Sequence, residues 1–128
     1  MRVVTKEEAW SLVQALPDDG TNGGVCEYVT LSGTHCLVGE VLVKLGVPVH
    51  ELLEDGDIEI NTLGIHNSDV LAWVTEHDVE LTSEAVEMLS QMQQWLDDSI
   101  NDISGSPGIE TWGEAKRLYL ERGWYQVD

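Results

Sequence analysis

Ala9, Leu12, Val13 and Leu16 repeat at the three-and-four spacing of a helix face, with Trp10 beside them. Thr5-Lys6-Glu7-Glu8 precedes them as a capping box, in which the Thr5 hydroxyl takes the Glu8 amide and the Glu8 carboxylate reaches back. Pro17 and Asp18-Asp19-Gly20 end this helix, and Thr21 to Gly24 has the composition of a loop. Val25 to Leu31 then has the β-branched and aromatic character of a strand, turning at Ser32-Gly33. A stubby return strand completes a hairpin near residues 25–36, and an isolated hairpin is marginal in water, so it must lean on a helix.

The next apolar run, Leu37, Val38, Val41, Leu42 and Leu45, supplies that helix. Gly39 inside it costs up to ~1 kcal/mol relative to alanine, which close approach of another backbone, such as the hairpin, would explain. Gly46 fits a left-handed C-terminal cap, followed by Val47 as its apolar contact and by Pro48 as a stop. Val49 to Leu53 predicts a short helical turn. Asn67 or Ser68 caps a helix over Asp69 to Glu76, and Thr82 or Ser83 opens the longest one, to about Asp98. Its apolar stripe (Ala85, Val86, Met88, Leu89, Met92, Trp95, Leu96) is wide enough to place it centrally in the core. A second capping box, Thr111-Trp112-Gly113-Glu114, starts a last helix that ends at Arg122-Gly123. The expected fold is mainly α: a single domain over residues 1–128, with about five helices around one core and one small hairpin.

Length and composition agree with this. At 128 residues, 42% hydrophobic and 23% charged, the chain carries enough apolar side chains for one core without staples and too many for disorder. No run approaches the ~20 apolar residues of a membrane span, and no basic-then-apolar leader opens the chain. The expected compartment is the cytoplasm.

Charge changes the picture more. Six basic residues stand against 24 acidic ones, for a net charge of −18. Between Lys44 and Lys116 there is no Lys or Arg, while residues 45–115 carry sixteen carboxylates. Glu51, Glu54, Asp55, Asp57 and Glu59 crowd into nine positions. Such a chain repels nucleic acid, whose binding runs on phosphate neutralisation, and anionic membrane surfaces. It attracts basic partners at long range, more weakly as salt rises. The alternative is that the charge serves only solubility.

Candidate chemistry is sparse. Cys26 and Cys36 flank the hairpin turn; a bridge between them is geometrically possible, but cytosolic thiols usually stay reduced and buried as small hydrophobes. Cys36 falls at a helix N-terminus, where a thiolate is favoured. A base for it must come from His50, His66 or His77, since His35 is its sequence neighbour and adjacent helical residues do not face each other. A zinc site from Cys26, His35, Cys36 and a distant histidine lacks the usual short-spaced ligand pairs. Asp55-x-Asp57-x-Glu59 opens like a calcium loop, but Ile60 stands where glycine belongs and His66 where the bidentate Glu belongs. Five tryptophans and no phenylalanine make Trp the main aromatic filler; Trp10, Trp73, Trp95 and Trp112 lie in helical patterns and belong to the core. Trp124 and Tyr125 either pack back on a helix cap or stand out as a partner anchor. Phosphate loops, dinucleotide fingerprints, nucleophile elbows and HExxH are all missing.

Cys26-x-Tyr28, Cys36-Leu37-Val38-Gly39-x-x-Leu42-x-x-x-Gly46-Val47, Gln91-x-x-Gln94-x-x-Asp97 and Trp112-x-x-Ala115, taken in order, resemble a group of small proteins of actinobacteria and their phages. The resemblance spans residues 25 to 118 and departs from the group in a longer, acidic connection from Asp98 to Thr111. It implies an actinobacterial or actinophage cytosol and no assigned activity, cofactor or catalytic residue. The function expected from the chain is a non-enzymatic, strongly acidic binding or regulatory protein without cofactor. It would engage a basic protein surface, such as that of a host nucleic-acid-binding protein; one specific form is a phage-encoded inhibitor imitating the charge of DNA. Glu51, Glu54, Asp55, Asp57, Glu59, Trp124 and Tyr125 are its expected contacts. The rival expectation is a thiol or zinc protein built on Cys26, Cys36 and a histidine.

Overall fold

Along the chain run β1 (Arg2–Val4), α1 (Lys6–Gln14), α2 (Leu37–Lys44), α3 (Glu51–Glu54), α4 (Ser68–Glu76), β2 (Val79–Leu81), α5 (Ser83–Ile100) and α6 (Trp112–Glu121). The computed structural model describes residues 1–21, 28, 35–54, 64–101 and 104–122. The fold is mainly α, as expected. Of the hairpin expected near residues 25–36, only positions 28, 35 and 36 are among the described residues.

α5 is the central element. Thr82 caps it, its hydroxyl accepting the Ala85 amide at 3.2 Å. Ala85, Met88, Leu89, Met92, Trp95 and Leu96 lie buried along one face, and α1, α2 and α6 pack against the helix. Trp10, Trp73, Trp95 and Trp112 are all buried, as the helical pattern requires. Tyr119 of α6 joins two of them, 5.4 Å from the Trp10 ring and 6.3 Å from the Trp95 ring.

α1 and α6 cap one another. The first amides of a helix and its last carbonyls have no partner within the helix. Here the Trp112 amide donates to the Gly20 carbonyl at 2.8 Å and the Gly113 amide to the Asp18 carbonyl at 3.0 Å. In return the buried Lys116 ammonium donates to the Gln14 carbonyl at 3.2 Å, to the Leu16 carbonyl and to the Asp18 carboxylate at 2.8 Å. The second capping box closes as expected, with Glu114 accepting from the Thr111 amide and Thr111 from the Glu114 amide.

β1 and β2 form a two-stranded parallel sheet, Arg2 beside Val79, Val3 beside Glu80 and Val4 beside Leu81. The hydropathy pattern does not anticipate it, since three-residue strands are too short to alternate legibly. Val4 and Val79 turn inward onto the core. Asp78 makes the turn from α4 into β2 at φ 63°, a left-handed conformation that Asp tolerates better than most residues.

α2 ends in a Schellman motif. Gly46 adopts φ 87°, its amide bonds to the Val43 carbonyl at 3.0 Å, and the Val47 amide to the Leu42 carbonyl at 2.9 Å.

Candidate functional site

The N-terminus of α2 gathers a buried thiol and several half-buried polar side chains. Cys36 is its cap residue: the sulfur accepts the Gly39 amide at 3.3 Å. Gln93 reaches from α5 so that its Oε1 accepts the Val38 amide at 3.3 Å, while its Nε2 donates to the Asp97 carboxylate at 3.1 and 3.2 Å. Gly39 lets the backbone of Tyr28 lie directly on the helix; a Cβ there would fall 2.2 Å from the Tyr28 carbonyl oxygen. His35 Nδ1 lies 2.7 Å from Glu40 Oε1 at the rim. Tyr28, Cys36, Gly39 and Asp97, all motif positions, thus meet at one helix end.

Two groups at this end, the Cys36 thiol and the Tyr28 hydroxyl, are held protonated. Burial pushes the Cys36 thiol up to about 12, and the Gly39 amide offsets only part of that rise. The Tyr28 hydroxyl is raised in the same way, first by burial and then by the charges of Cys36 and Asp97. Cys36 does stand at a helix N-terminus, but the thiolate expected there does not form near neutral pH, because burial outweighs the amides. The thiol is unbridged and buried, in keeping with a small core hydrophobe. Cys26 lies outside the described residues.

None of the candidate bases faces Cys36. His50 is exposed. His66 Nδ1 lies 3.3 Å from Ser90 Oγ, and His77 meets the Trp73 ring edge-on at 5.2 Å. Among the described residues no three His, Cys, Asp or Glu side chains gather as a metal site.

Of the expected acidic contacts, only Glu51 and the Glu54 backbone are among the described residues. Glu51 is half-buried at the head of α3, and Glu54 belongs to α3 by its backbone. The Glu54 side chain, Asp55, Asp57 and Glu59 lie outside the described residues, as do Trp124 and Tyr125. A second acidic stretch stands in view instead: Glu76, Asp78, Glu80, Glu84 and Glu87 are exposed from the end of α4 through β2 into α5. Its signal in the sequence was a carboxylate at every second to fourth position, less dense than the 51–59 cluster and so less conspicuous.

Most of the cations are engaged within the molecule. Arg2 donates through Nε and Nη2 to Glu8, and Lys116 is spent on α1 and Asp18. Arg122 lies over the Trp95 ring, 5.5 Å from its centre. Lys6 lies 3.9 Å from Glu84, the one ion pair on the acidic stretch among the described residues. That pair lines an open cleft of about 460 Å³ together with Glu87, Met88, Gln91 and Tyr119.

No helix among the described residues is long and apolar enough to cross a membrane. In comparison with known proteins, no family model matches the chain, and no curated protein or solved structure matches it either.

Proposed function

We propose that this chain is a non-enzymatic acidic protein that engages a basic surface on another protein, in an actinobacterial or phage setting as its resemblance implies. The observation that carries the reading is the imbalance of engagement. Arg2, Lys116 and Arg122 are occupied with internal partners, while Glu76, Asp78, Glu80 and Glu87 stand exposed on one continuous stretch. A predominantly negative field over such a stretch steers cationic partners and repels polyanions. One form of this activity is occupation of a nucleic-acid-binding site in place of DNA. The site chemistry favours binding over catalysis: the buried thiol is held protonated, and its sulfur caps a helix.

The experiment is capture of basic proteins from an actinobacterial lysate by the tagged chain at about 50 mM and about 500 mM salt, across which surface attraction is strongly screened. The expected result is a defined basic partner retained at low salt and lost at high salt. That partner is also lost from a variant carrying Glu76→Gln, Asp78→Asn, Glu80→Gln and Glu87→Gln. A partner held equally at both salts and by both proteins would remove electrostatic capture as the mechanism.

A further inference from the structure

β1 leaves one edge open. The Arg2 amide donates to the Asp78 carbonyl at 2.9 Å, and the Val4 carbonyl accepts the Thr82 amide at 3.1 Å. Arg2 and Val4 therefore turn their peptide groups toward β2. Alternate residues of a paired strand direct theirs to opposite sides, so Val3 points its N–H and C=O away from β2. Among the described residues no partner takes them.

The Thr5 amide continues the same edge. In a closed capping box the third residue's carboxylate occupies that amide, as Glu114 does for Thr111. At α1 only half of the box forms. Thr5 accepts the Glu8 amide at 3.3 Å, but the Glu8 carboxylate is turned to Arg2. Val3 N–H, Val3 C=O and Thr5 N–H are left in a row.

The outer face beside this edge pairs apolar and acidic side chains. Met1 is 70% and Val3 50% exposed. Glu80 stands next to Val3 in register, and Asp78, two residues before it, is exposed as well.

We infer that this edge accepts an extended segment of a basic partner protein as a third strand. On the outer face its Lys or Arg side chains would lay their methylene stems over Met1 and Val3 and carry their charges toward Glu80 and Asp78, while the intervening apolar side chains turn to the opposite face. Strand addition of this kind takes affinity from the backbone and selectivity from alternate side chains. Charge decides the occupant: a second copy would bring −18 against −18, whereas a basic strand meets an acidic row. The inference rests on the acidic-face reading above and adds to it the partner's conformation and its place of docking.

The test uses the whole chain with a fluorescent synthetic peptide of about ten residues that alternates L-Lys and L-Val. Beside it goes the same peptide with D-Val, which keeps the charge but no longer sends Lys and Val to opposite faces of a regular L-strand. The all-L peptide is expected to bind at low salt, at least about tenfold more tightly than the D-Val form, a gap on the scale of one backbone hydrogen bond. Val3→Pro is expected to weaken the all-L peptide by a similar factor and to preserve the circular dichroism and Tm. Proline is tolerated on an edge strand whose N–H faces outward. Should Val3→Pro fold poorly, Val3→Lys is read instead; it keeps the backbone and sets a like charge against the incoming lysines.

Equal binding of the two peptides, or undiminished binding by these variants, overturns the docked strand and leaves the acidic-face reading standing. Binding of neither peptide at low salt removes that reading as well. A dimer of the wild-type chain in sedimentation, abolished by Val3→Pro, would assign the edge to a second copy and overturn the proposal.

Discussion

Gly39 shows how a residue that looks unfavourable locally becomes necessary through its neighbours. In an isolated helix Gly39→Ala would gain up to ~1 kcal/mol. In the folded chain the added methyl meets the Tyr28 carbonyl at 2.2 Å, and that neighbour is backbone, which cannot swing aside. Overpacking of this kind costs about 1–3 kcal/mol, so Gly39→Ala is expected to lower stability in urea denaturation despite its better propensity. A gain in stability would show that Tyr28 does not lie on α2. Cys36 yields a second test. With its thiol pushed up to about 12 and buried, it should react with iodoacetamide at pH 8 far more slowly in the native chain than in denaturant. Because the folded value is raised, its contribution is fully present below the unfolded thiol value of about 8.5 and is lost as pH rises toward 12. Tyr28, raised in the same direction, adds to the alkaline loss. Thermal unfolding followed from pH 8 to 11 is expected to show Tm falling across this window.

At the scale of elements, the joint between α1 and α6 is the feature most open to test. Lys116→Met would leave the buried Leu16 carbonyl without its donor and remove a second bond, that to the carbonyl of the more exposed Gln14. Buried unsatisfied groups cost about 1–3 kcal/mol, a loss that denaturant midpoints would register. Two carboxyls at this joint are depressed. The Lys116 ammonium, by hydrogen bond and by charge, lowers Asp18, and the Glu110 amide followed by the Thr111 hydroxyl lowers Glu114. Depressed values stabilise the fold above the unfolded range of about 3.9–4.3 and lose that contribution as pH falls through the folded values. The Tm difference between wild type and an Asp18→Asn, Glu114→Gln variant should therefore be largest near neutral pH and shrink below about pH 4. Little of this joint was legible beforehand. The capping box at Thr111 was, because a cap is decided within four residues. Lys116 carried no mark, since its partners lie about a hundred positions away. The half-open box at Thr5 was hidden for the same kind of reason: Glu8 has a competing partner in Arg2 from the strand before it.

For the whole molecule, charge repulsion opposes compactness. At −18 with most cations already engaged, the carboxylates of the folded chain repel one another more than those of the expanded chain. Raising NaCl from about 20 mM to about 300 mM shortens the screening length to below 10 Å and is expected to raise Tm. A protein held by its ion pairs would respond in the opposite direction. The same screening that steadies this fold would weaken the proposed hold on a basic partner, so under that proposal stability and binding are expected to move oppositely with salt. A fold this tolerant of charge depends on its central helix: α5 buries six side chains, so repulsion at the surface acts against a continuous apolar core.

The main helices, the closed box at Thr111, the four core tryptophans, the Gly46 stop and the place of α5 were determined by sequence alone. Periodicity and capping are interactions among residues three or four apart, and burial follows from the side of the helix they mark. Tertiary structure decided what depends on distant partners. The parallel pairing of β1 with β2 joins segments more than seventy positions apart. The protonated state of Cys36 comes from burial rather than from its place at a helix start, and the engagement of Arg2, Lys116 and Arg122 leaves one stretch of carboxylates facing outward. Charge was countable along the chain, but which charges remain unanswered depends on which cations the fold has already used.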